Sequence, residues 1–317
     1  MKILVTGCAG FIGSHVSEAL LERGDFVVGL DEVNDYYDVK IKENNLRILK
    51  NHKNFVFYKE DIRNFKGLKR IFAKEKPEKI VHLAARAGVR PSIEQPLLYE
   101  EVNVKGTMHL LELAKEYKVK SFVFASSSSV YGNQKKVPFS ETDDVNNPIS
   151  PYAATKKAGE LLCYTYHHLY NMKITCLRFF TVYGPRGRPD MAPYKFTKAI
   201  LAGKPIQRFG DGKTKRDYTY IADIVKGVVA AADAELGFEI INLGNHKPVE
   251  LNKLISTIEN ATGKKAIMEQ MPMQLGDVEI TYADISKAKK LLNYKPETSI
   301  EEGMQSFVKW YKENVLS

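Results

Sequence analysis

The first thirty-one residues spell a strand, a glycine-rich turn, a helix and a second strand, and that succession leaves few folds open. Ile3-Leu4-Val5 is a short β-branched run; Ile12, Val16, Ala19 and Leu20 then recur at helical spacing, Gly24 supplies a stop, and Phe26-Val27-Val28 resumes the strand pattern. Such a unit closes with a right-handed crossover, because only that hand returns the helix onto a twisted parallel sheet. The alternation continues through Phe55-Val56-Phe57, Ile80-Val81-His82-Leu83, Phe122-Val123-Phe124 and Ile174-Thr175-Cys176-Leu177. Unbroken apolar runs of this kind are what strands covered on both faces require. The expected class is α/β, with a doubly wound parallel sheet.

Beyond about residue 180 the texture changes to loops rich in glycine and proline, such as Gly184-Pro185-Arg186-Gly187-Arg188-Pro189 and Phe209-Gly210-Asp211-Gly212. The expected organisation is a Rossmann domain over 1–180 and a smaller, discontinuous α/β substrate-binding cap over most of 181–317. Residues 221–245 should return to the first domain through a helix at 221–233 and a strand at Glu239-Ile240-Ile241. A chain of 317 residues is long enough for both. Cys8, Cys163 and Cys176 fit neither a disulfide framework nor a paired-cysteine metal site, and read as small core fillers. His167 and His168 are adjacent on a helix and point apart, so no metal site is expected.

The net charge of +9 is spread over pairs such as Lys135/Lys136 and Lys156/Lys157, separated by acids. That pattern suits an anionic small substrate better than a nucleic-acid surface, and no nucleic-acid partner is expected. No apolar run approaches the roughly 18 residues of a membrane span. Lys2–Thr6 already reads as a core strand and leaves no room for a targeting peptide, so no membrane partner and a cytoplasmic location are expected.

Gly7-Cys8-Ala9-Gly10-Phe11-Ile12-Gly13 places three glycines between the first strand and its helix. There the backbone can approach a pyrophosphate at a helix N-terminus. Asp31 ends the second strand, where a carboxylate can accept both hydroxyls of an adenosine ribose. With Glu32 beside it, a 2′-phosphate would be repelled, so NAD is the expected cofactor. Asp61 and Ile62, after the third strand, lie toward the adenine edge, and Ala84-Ala85 after the fourth let the dinucleotide lie close. The bland alternative makes the glycines tight-turn packing and Asp31 a loop acid.

Tyr152 and Lys156 sit one helical turn apart in a helix starting near Pro151, so phenol and ammonium share a face. A phenol is protonated at neutral pH, but a nearby ammonium and a cationic nicotinamide both favour phenolate, which can take a hydroxyl proton. Phe124-Ala125-Ser126-Ser127-Ser128-Ser129 follows the fifth strand, so Ser127 can bond the reacting oxygen. Alone, the Tyr-Lys pair could be two ordinary surface residues; beside the glycine turn and the serine segment it points to a catalytic base.

These residues, with Asp35-Tyr36-Tyr37-Asp38, Ala87-Gly88-Val89-Arg90, Arg178-Phe179-Phe180-Thr181-Val182-Tyr183-Gly184-Pro185, Arg188-Pro189-Asp190-Met191-Ala192 and Lys215-Arg216-Asp217-Tyr218, resemble the extended short-chain dehydrogenase/reductase family of nucleotide-sugar enzymes. Within it the nearest likeness is to UDP-glucuronate 4-epimerases. The resemblance implies an isomerase: transient oxidation at C4 of a UDP-sugar, Tyr152 as base and then acid, and return of the hydride to the opposite face. It also implies that Lys156 holds the nicotinamide ribose and that Asn103 lies near the catalytic region. Dehydratases of the family carry acids where this chain has Ser128 and Ser129, and decarboxylases tend to carry Glu at the second place and Asn at Thr181. Neither elimination nor loss of carbon dioxide is equipped in that way.

A C6 carboxylate needs a cationic or hydrogen-bonding clamp, and Thr181, Arg186 and Arg188 after the sixth strand are the candidates, Arg188 foremost; Ser128 is a further substrate-binding candidate. Arg188 could instead be paired with Asp190. The resemblance further assigns Arg216 to the diphosphate, Phe209 to the uracil and Asp277 to the uridine ribose. Arg90 is set to compensate for Gln274, where UDP-galactose epimerases carry arginine. It also implies a homodimer through helices around 100–117 and 152–170, with Leu161, Leu162, Tyr166 and Leu169 on an apolar face that could equally be core. The competing readings are a UDP-glucose/UDP-galactose 4-epimerase, a UDP-glucuronate decarboxylase and a non-catalytic NAD-binding scaffold.

Overall fold

The structure, a computed structural model, describes residues 1–272 and 279–316. The first half alternates β1 (Lys2–Thr6), α1 (Phe11–Glu22), β2 (Phe26–Asp31), α2 (Val39–Leu49), β3 (Phe55–Lys59), α3 (Phe65–Glu75) and β4 (Lys79–His82). Two short helices, α4 (Val89–Glu94) and α5 (Pro96–Glu100), then lead into α6 (Gly106–Glu116), β5 (Ser121–Ser127), α7 (Pro151–Tyr170) and β6 (Ile174–Phe179). The rest comprises β7 (Thr181–Tyr183), α8 (Ala192–Leu201), β8 (Pro205–Phe209), β9 (Lys215–Tyr220), α9 (Ile221–Ala234), β10 (Phe238–Leu243) and β11 (Pro248–Glu250). It ends with α10 (Leu251–Thr262), β12 (Ile267–Met271), β13 (Ile280–Thr281), α11 (Ser286–Leu292) and α12 (Ile300–Asn314).

Seven parallel strands form the main sheet in the order β10-β6-β5-β4-β1-β2-β3. The chain winds outward from β1 in one direction and from β4 in the other, which opens a crevice beyond their carboxyl ends. Strand periodicity divides the core in two. Ile3 and Val5 join Val16 and Leu20 of α1 and Ile224 and Val228 of α9, whereas Leu4 joins Phe72 of α3, Leu110 of α6 and Cys163 of α7. Each such side chain, fully buried, stabilises the fold by roughly 1.5–3 kcal/mol. The three cysteines are buried and free.

Helix α9 packs beside α1, and β10 pairs with β6 from Phe238↔Ile174 to Leu243↔Phe179. The remaining strands make two small sheets. In one, β9 pairs with β7, β11 and β13; in the other, β8 pairs with β12. Helices α8, α10 and α12 close over them through Tyr194, Ile200, Leu254, Ile258, Met304 and Phe307. Buried Asp217 fastens this region, accepting bonds from the N–H groups of Asn245 (2.6 Å), Ala283 (3.0 Å) and His246 (3.1 Å). No helix among the described residues is long and apolar enough to cross a membrane.

Candidate active site

A cavity of about 760 Å³ occupies the crevice at the carboxyl ends of the main-sheet strands, a size suited to a small-molecule ligand. Its walls include Gly7, Gly10, Phe11, Ile12, Gly13, Asp31, Asp61, Ile62, Ala84 and Ala85 at one end. Ser127, Ser128, Tyr152, Lys156, Thr181, Arg188 and Arg90 also line it. Residues from β1 to β7 and the loop after β7 are thus gathered by the topology into one concavity.

The glycine turn fits a dinucleotide for reasons visible in its geometry. Gly7 has φ +71°, a left-handed conformation, and a Cβ there would stand 2.8 Å from the Ala84 nitrogen. A Cβ on Gly13 would stand 2.0 Å from the Gly7 carbonyl oxygen. Gly10 caps α1 without a side chain, so the first-turn N–H groups and the positive end of the helix are open to an anion. Asp31 accepts from the N–H of Val33 (2.8 Å) and of Ala9 (3.1 Å), which ties the second strand's end to the turn. Burial pushes its carboxyl pKa up, against the pull of these amides and of Lys42. Lys42, which sequence reasoning missed, reaches in from α2 and donates to the Asn34 carbonyl at 2.9 Å and its side-chain oxygen at 2.7 Å. Asp61 is paired with Arg63 at 2.6 Å.

Ser150 and Pro151 start α7 one residue before Tyr152: the Ser150 hydroxyl accepts the Ala153 N–H at 3.1 Å and Pro151 takes the first turn. Lys156 follows at the next turn, its Nζ donating to the Ala125 carbonyl at 2.7 Å and lying 6.0 Å from the Tyr152 ring centre. Burial lowers the Lys156 pKa to about 8. The expectation that the ammonium holds the phenol toward phenolate is corrected here for the protein by itself. Burial is the largest influence on Tyr152 and pushes its pKa up, opposed by the Ser127 hydroxyl and the Arg188 charge. Removal of the phenol from water disfavours its charged form, and that influence is larger than those of the hydroxyl and the guanidinium.

Other side chains that build this end were not singled out from sequence. Tyr36 and Tyr99 both donate to the Ala87 carbonyl, at 2.6 and 2.7 Å, and Tyr99 meets Tyr152 edge to face at 6.2 Å. Glu160 continues the Tyr152-Lys156 face of α7 by one more turn. Its carboxylate accepts two bonds of 2.8 Å from Arg178 and one of 2.6 Å from Ser126, which locks the ends of β5 and β6 to the helix. The four-residue spacing after Lys156 was the available signal.

The substrate-side candidates separate. Arg188 faces the cavity and is also paired with Asp190, through bonds of 3.0 and 2.6 Å, with its guanidinium 5.7 Å from the Tyr36 ring centre. Arg186 does not line the cavity: its side chain runs to α1, pairing with Glu18 and donating to His15 Nε2 at 3.2 Å. Two residues apart in an extended chain would share a face; here Arg186 sits at φ +61° in a turn closed by the Gly187 N–H on the Gly184 carbonyl, and the two arginines part. Phe209, at the end of β8, and Arg216, on β9, where its guanidinium donates to the Lys215 carbonyl, are not cavity-lining residues. Asn103 stands behind the wall on a wide π-type turn at Glu101–Lys105. Its side chain bonds both the N–H (2.8 Å) and the carbonyl (2.9 Å) of Arg86 and the Thr155 hydroxyl. Asp277, like Gln274, lies outside the described residues. Among the described residues no group of three or more His, Cys, Asp or Glu is placed to hold a metal ion.

Comparison with known proteins adds to this geometry. The family model described as GDP-mannose 4,6 dehydratase matches residues 4–307. A UDP-glucuronate 4-epimerase of Thermodesulfobacterium geofontis is 53% identical over 313 residues, covering 98% of this chain and 96% of its own length. The crystal structure of UDP-glucuronic acid 4-epimerase from Bacillus cereus, in complex with UDP-glucuronic acid and NAD, superposes with a TM-score of 0.92 at 39% identity over 99% of both chains. A UDP-glucose 4-epimerase structure from Thermotoga maritima, with UDP-glucose, gives a TM-score of 0.90 at 34% identity, covering 99% of this chain and all of its own.

Proposed function

The chain belongs to the GDP-mannose 4,6-dehydratase family of extended short-chain dehydrogenases/reductases, and from that premise we propose that it is an NAD-dependent UDP-glucuronate 4-epimerase. It is an isomerase that interconverts UDP-glucuronate and UDP-galacturonate. The observation that carries the reading is that the glycine cradle, the Tyr152-Lys156 pair and the Arg188 guanidinium all line one cavity.

In this reading Gly7, Gly10 and Gly13, with the first-turn amides of Phe11 and Ile12, take the pyrophosphate. Asp31 takes the adenosine ribose, Asp61 and Ile62 the adenine edge, and Ala84 and Ala85 lie along the dinucleotide. NAD, when bound, supplies reversible hydride acceptance from the sugar's C4. Tyr152 takes the C4 hydroxyl proton and gives it back, Ser127 donates to the same oxygen, and Lys156 holds the nicotinamide ribose. Asn103 acts through the Arg86 segment it braces. Ser128, Thr181 and Arg188 face the sugar's carboxylate, which would compete with Asp190 for the guanidinium. Arg90 and Arg216 serve the diphosphate, and Phe209 and Asp277 the uridine. Inversion requires the 4-keto sugar to present its other face, so these contacts must hold the nucleotide while the ring turns.

Positions 128 and 129 are serines, so no acid stands beside Ser127 to drive elimination of water. The division into a 1–180 cofactor domain, joined by 221–245, and a cap from the remainder belongs to the same proposal. So does a homodimer: Leu161 and Leu169 on α7 are exposed with Leu97 on α5, while Tyr166 is buried in the core. Purified protein given UDP-glucuronate should form UDP-galacturonate, resolved by chromatography and mass. UDP-pentose with carbon dioxide as the main product would replace the reading with decarboxylation. Conversion of UDP-glucose with the uronates untouched would replace it with a neutral-hexose epimerase.

A further inference from the structure

Arg186, set aside as a contact to the sugar, makes a junction that joins the substrate loop to the cofactor helix. It stands at φ +61° between Gly184, at φ +139°, and Gly187, whose N–H closes the turn on the Gly184 carbonyl at 3.0 Å. A non-glycine residue in the left-handed region costs energy that surrounding contacts must offset. Among the described residues the side-chain hydrogen bonds of Arg186 go to α1. The guanidinium pairs with Glu18, and its Nε–H donates to His15 Nε2 at 3.2 Å. His15 Nδ1 lies 2.9 Å from the Phe11 carbonyl, which can only accept, so the ring proton is on Nδ1 and Nε2 is the acceptor for Arg186. Phe11 is the first residue of α1, stacks edge to face on His15 at 5.6 Å and lines the cavity. Two residues beyond Arg186, the same loop delivers Arg188 to the wall of that cavity.

We propose that Arg186 is a positioning residue: through His15 and Glu18 it latches the 184–190 loop to the helix that cradles the cofactor, and so sets where Arg188 meets an anionic sugar. This rests on the reading of the substrate as a uronate held by Arg188. The planar guanidinium is required because one group bonds an imidazole and a carboxylate at once, which an ammonium on a flexible stem does not reproduce.

The test uses the full-length, NAD-loaded enzyme with Arg186→Met, Arg186→Lys and Glu18→Gln. KM for UDP-glucuronate should rise about tenfold in R186M and less in the other two, with kcat within about threefold. The inhibition constant of UDP, which lacks the hexuronate, should stay within about twofold. In NMR, the His15 Nε2 signal should shift in R186M, while the Phe11 carbonyl keeps the ring proton on Nδ1. A KM within twofold of wild type in both R186M and E18Q overturns the latch. So does a rise in the UDP inhibition constant parallel to that in KM, which marks general loosening; E18Q keeps the test open if R186M fails to fold. Wild-type protein without uronate turnover refutes the substrate reading itself, whereas an active wild type with unmoved variants refutes the latch alone.

Discussion

Replacing Lys156 by Met should change how stability depends on pH, and the structure fixes both sign and size. Burial lowers the Lys156 pKa from its ordinary 10.5 to about 8, so the folded chain disfavours the ammonium that the unfolded chain carries freely. Between those values the unfolded state binds more protons, and stability therefore rises with pH. The full cost is present below about pH 8 and is gone above about pH 10.5. At about 1.4 kcal/mol per unit the cost is about 3.5 kcal/mol, of which about 2 kcal/mol is relieved between pH 7 and pH 9.5. The methionine variant has no such term. It also leaves the Ala125 carbonyl without its 2.7 Å donor, but that loss is the same at every pH and drops out of the comparison. Urea unfolding of cofactor-free wild type and K156M at the two pH values measures the difference directly. Wild type should gain about 2 kcal/mol on the variant as pH rises. A difference that stays constant within about 0.5 kcal/mol would refute burial as the influence that governs this lysine.

Tyr152→Phe should cut turnover by about a thousandfold while NAD binding, followed by fluorescence, stays near wild type; equal loss of both would mean the fold is disturbed. Gly13→Ala drives a Cβ to 2.0 Å from the Gly7 carbonyl oxygen, backbone against backbone, and should cost more than about 3 kcal/mol in thermal or urea unfolding along with NAD affinity. A wild-type melting curve would show that the turn has room to yield. His82 is buried between the hydroxyls of Thr6 (2.7 Å) and Thr107 (3.0 Å), and burial lowers its pKa to about 3. Its folded pKa lies below the unfolded one, so stability is lost as pH falls below about 6.5, and His82→Gln should flatten the loss by about 1.4 kcal/mol per pH unit between pH 6 and 4. An unchanged acid slope would place the proton uptake elsewhere.

The parts of the site legible in the sequence are those whose geometry is local. A glycine turn between a strand and a helix, a Tyr-Lys pair one turn apart and a serine run at a strand end carry their relative positions in their spacing. Asp31 could be placed because a strand's carboxyl end must abut the turn beside it. Residues on irregular loops were harder. Arg186 and Arg188 are two apart in one motif, yet one is bound to α1 and the other faces the cavity. Tyr36 and Tyr99 meet on the Ala87 carbonyl although they lie on separate segments, and nothing periodic foretells that meeting. Asn103 looked like a site residue and proved to brace one from behind.

Hydrophobic periodicity and turn chemistry along the chain determined the doubly wound sheet, the cofactor crevice and the face of α7 that carries Tyr152 and Lys156, because each follows from contacts between near neighbours. Only the tertiary structure decided which arginine enters the cavity, which one fastens the loop, and whether the tyrosine's surroundings favour its charge. Those outcomes depend on distant elements brought together and on how much water the packing removes, and desolvation is a property of the assembled fold.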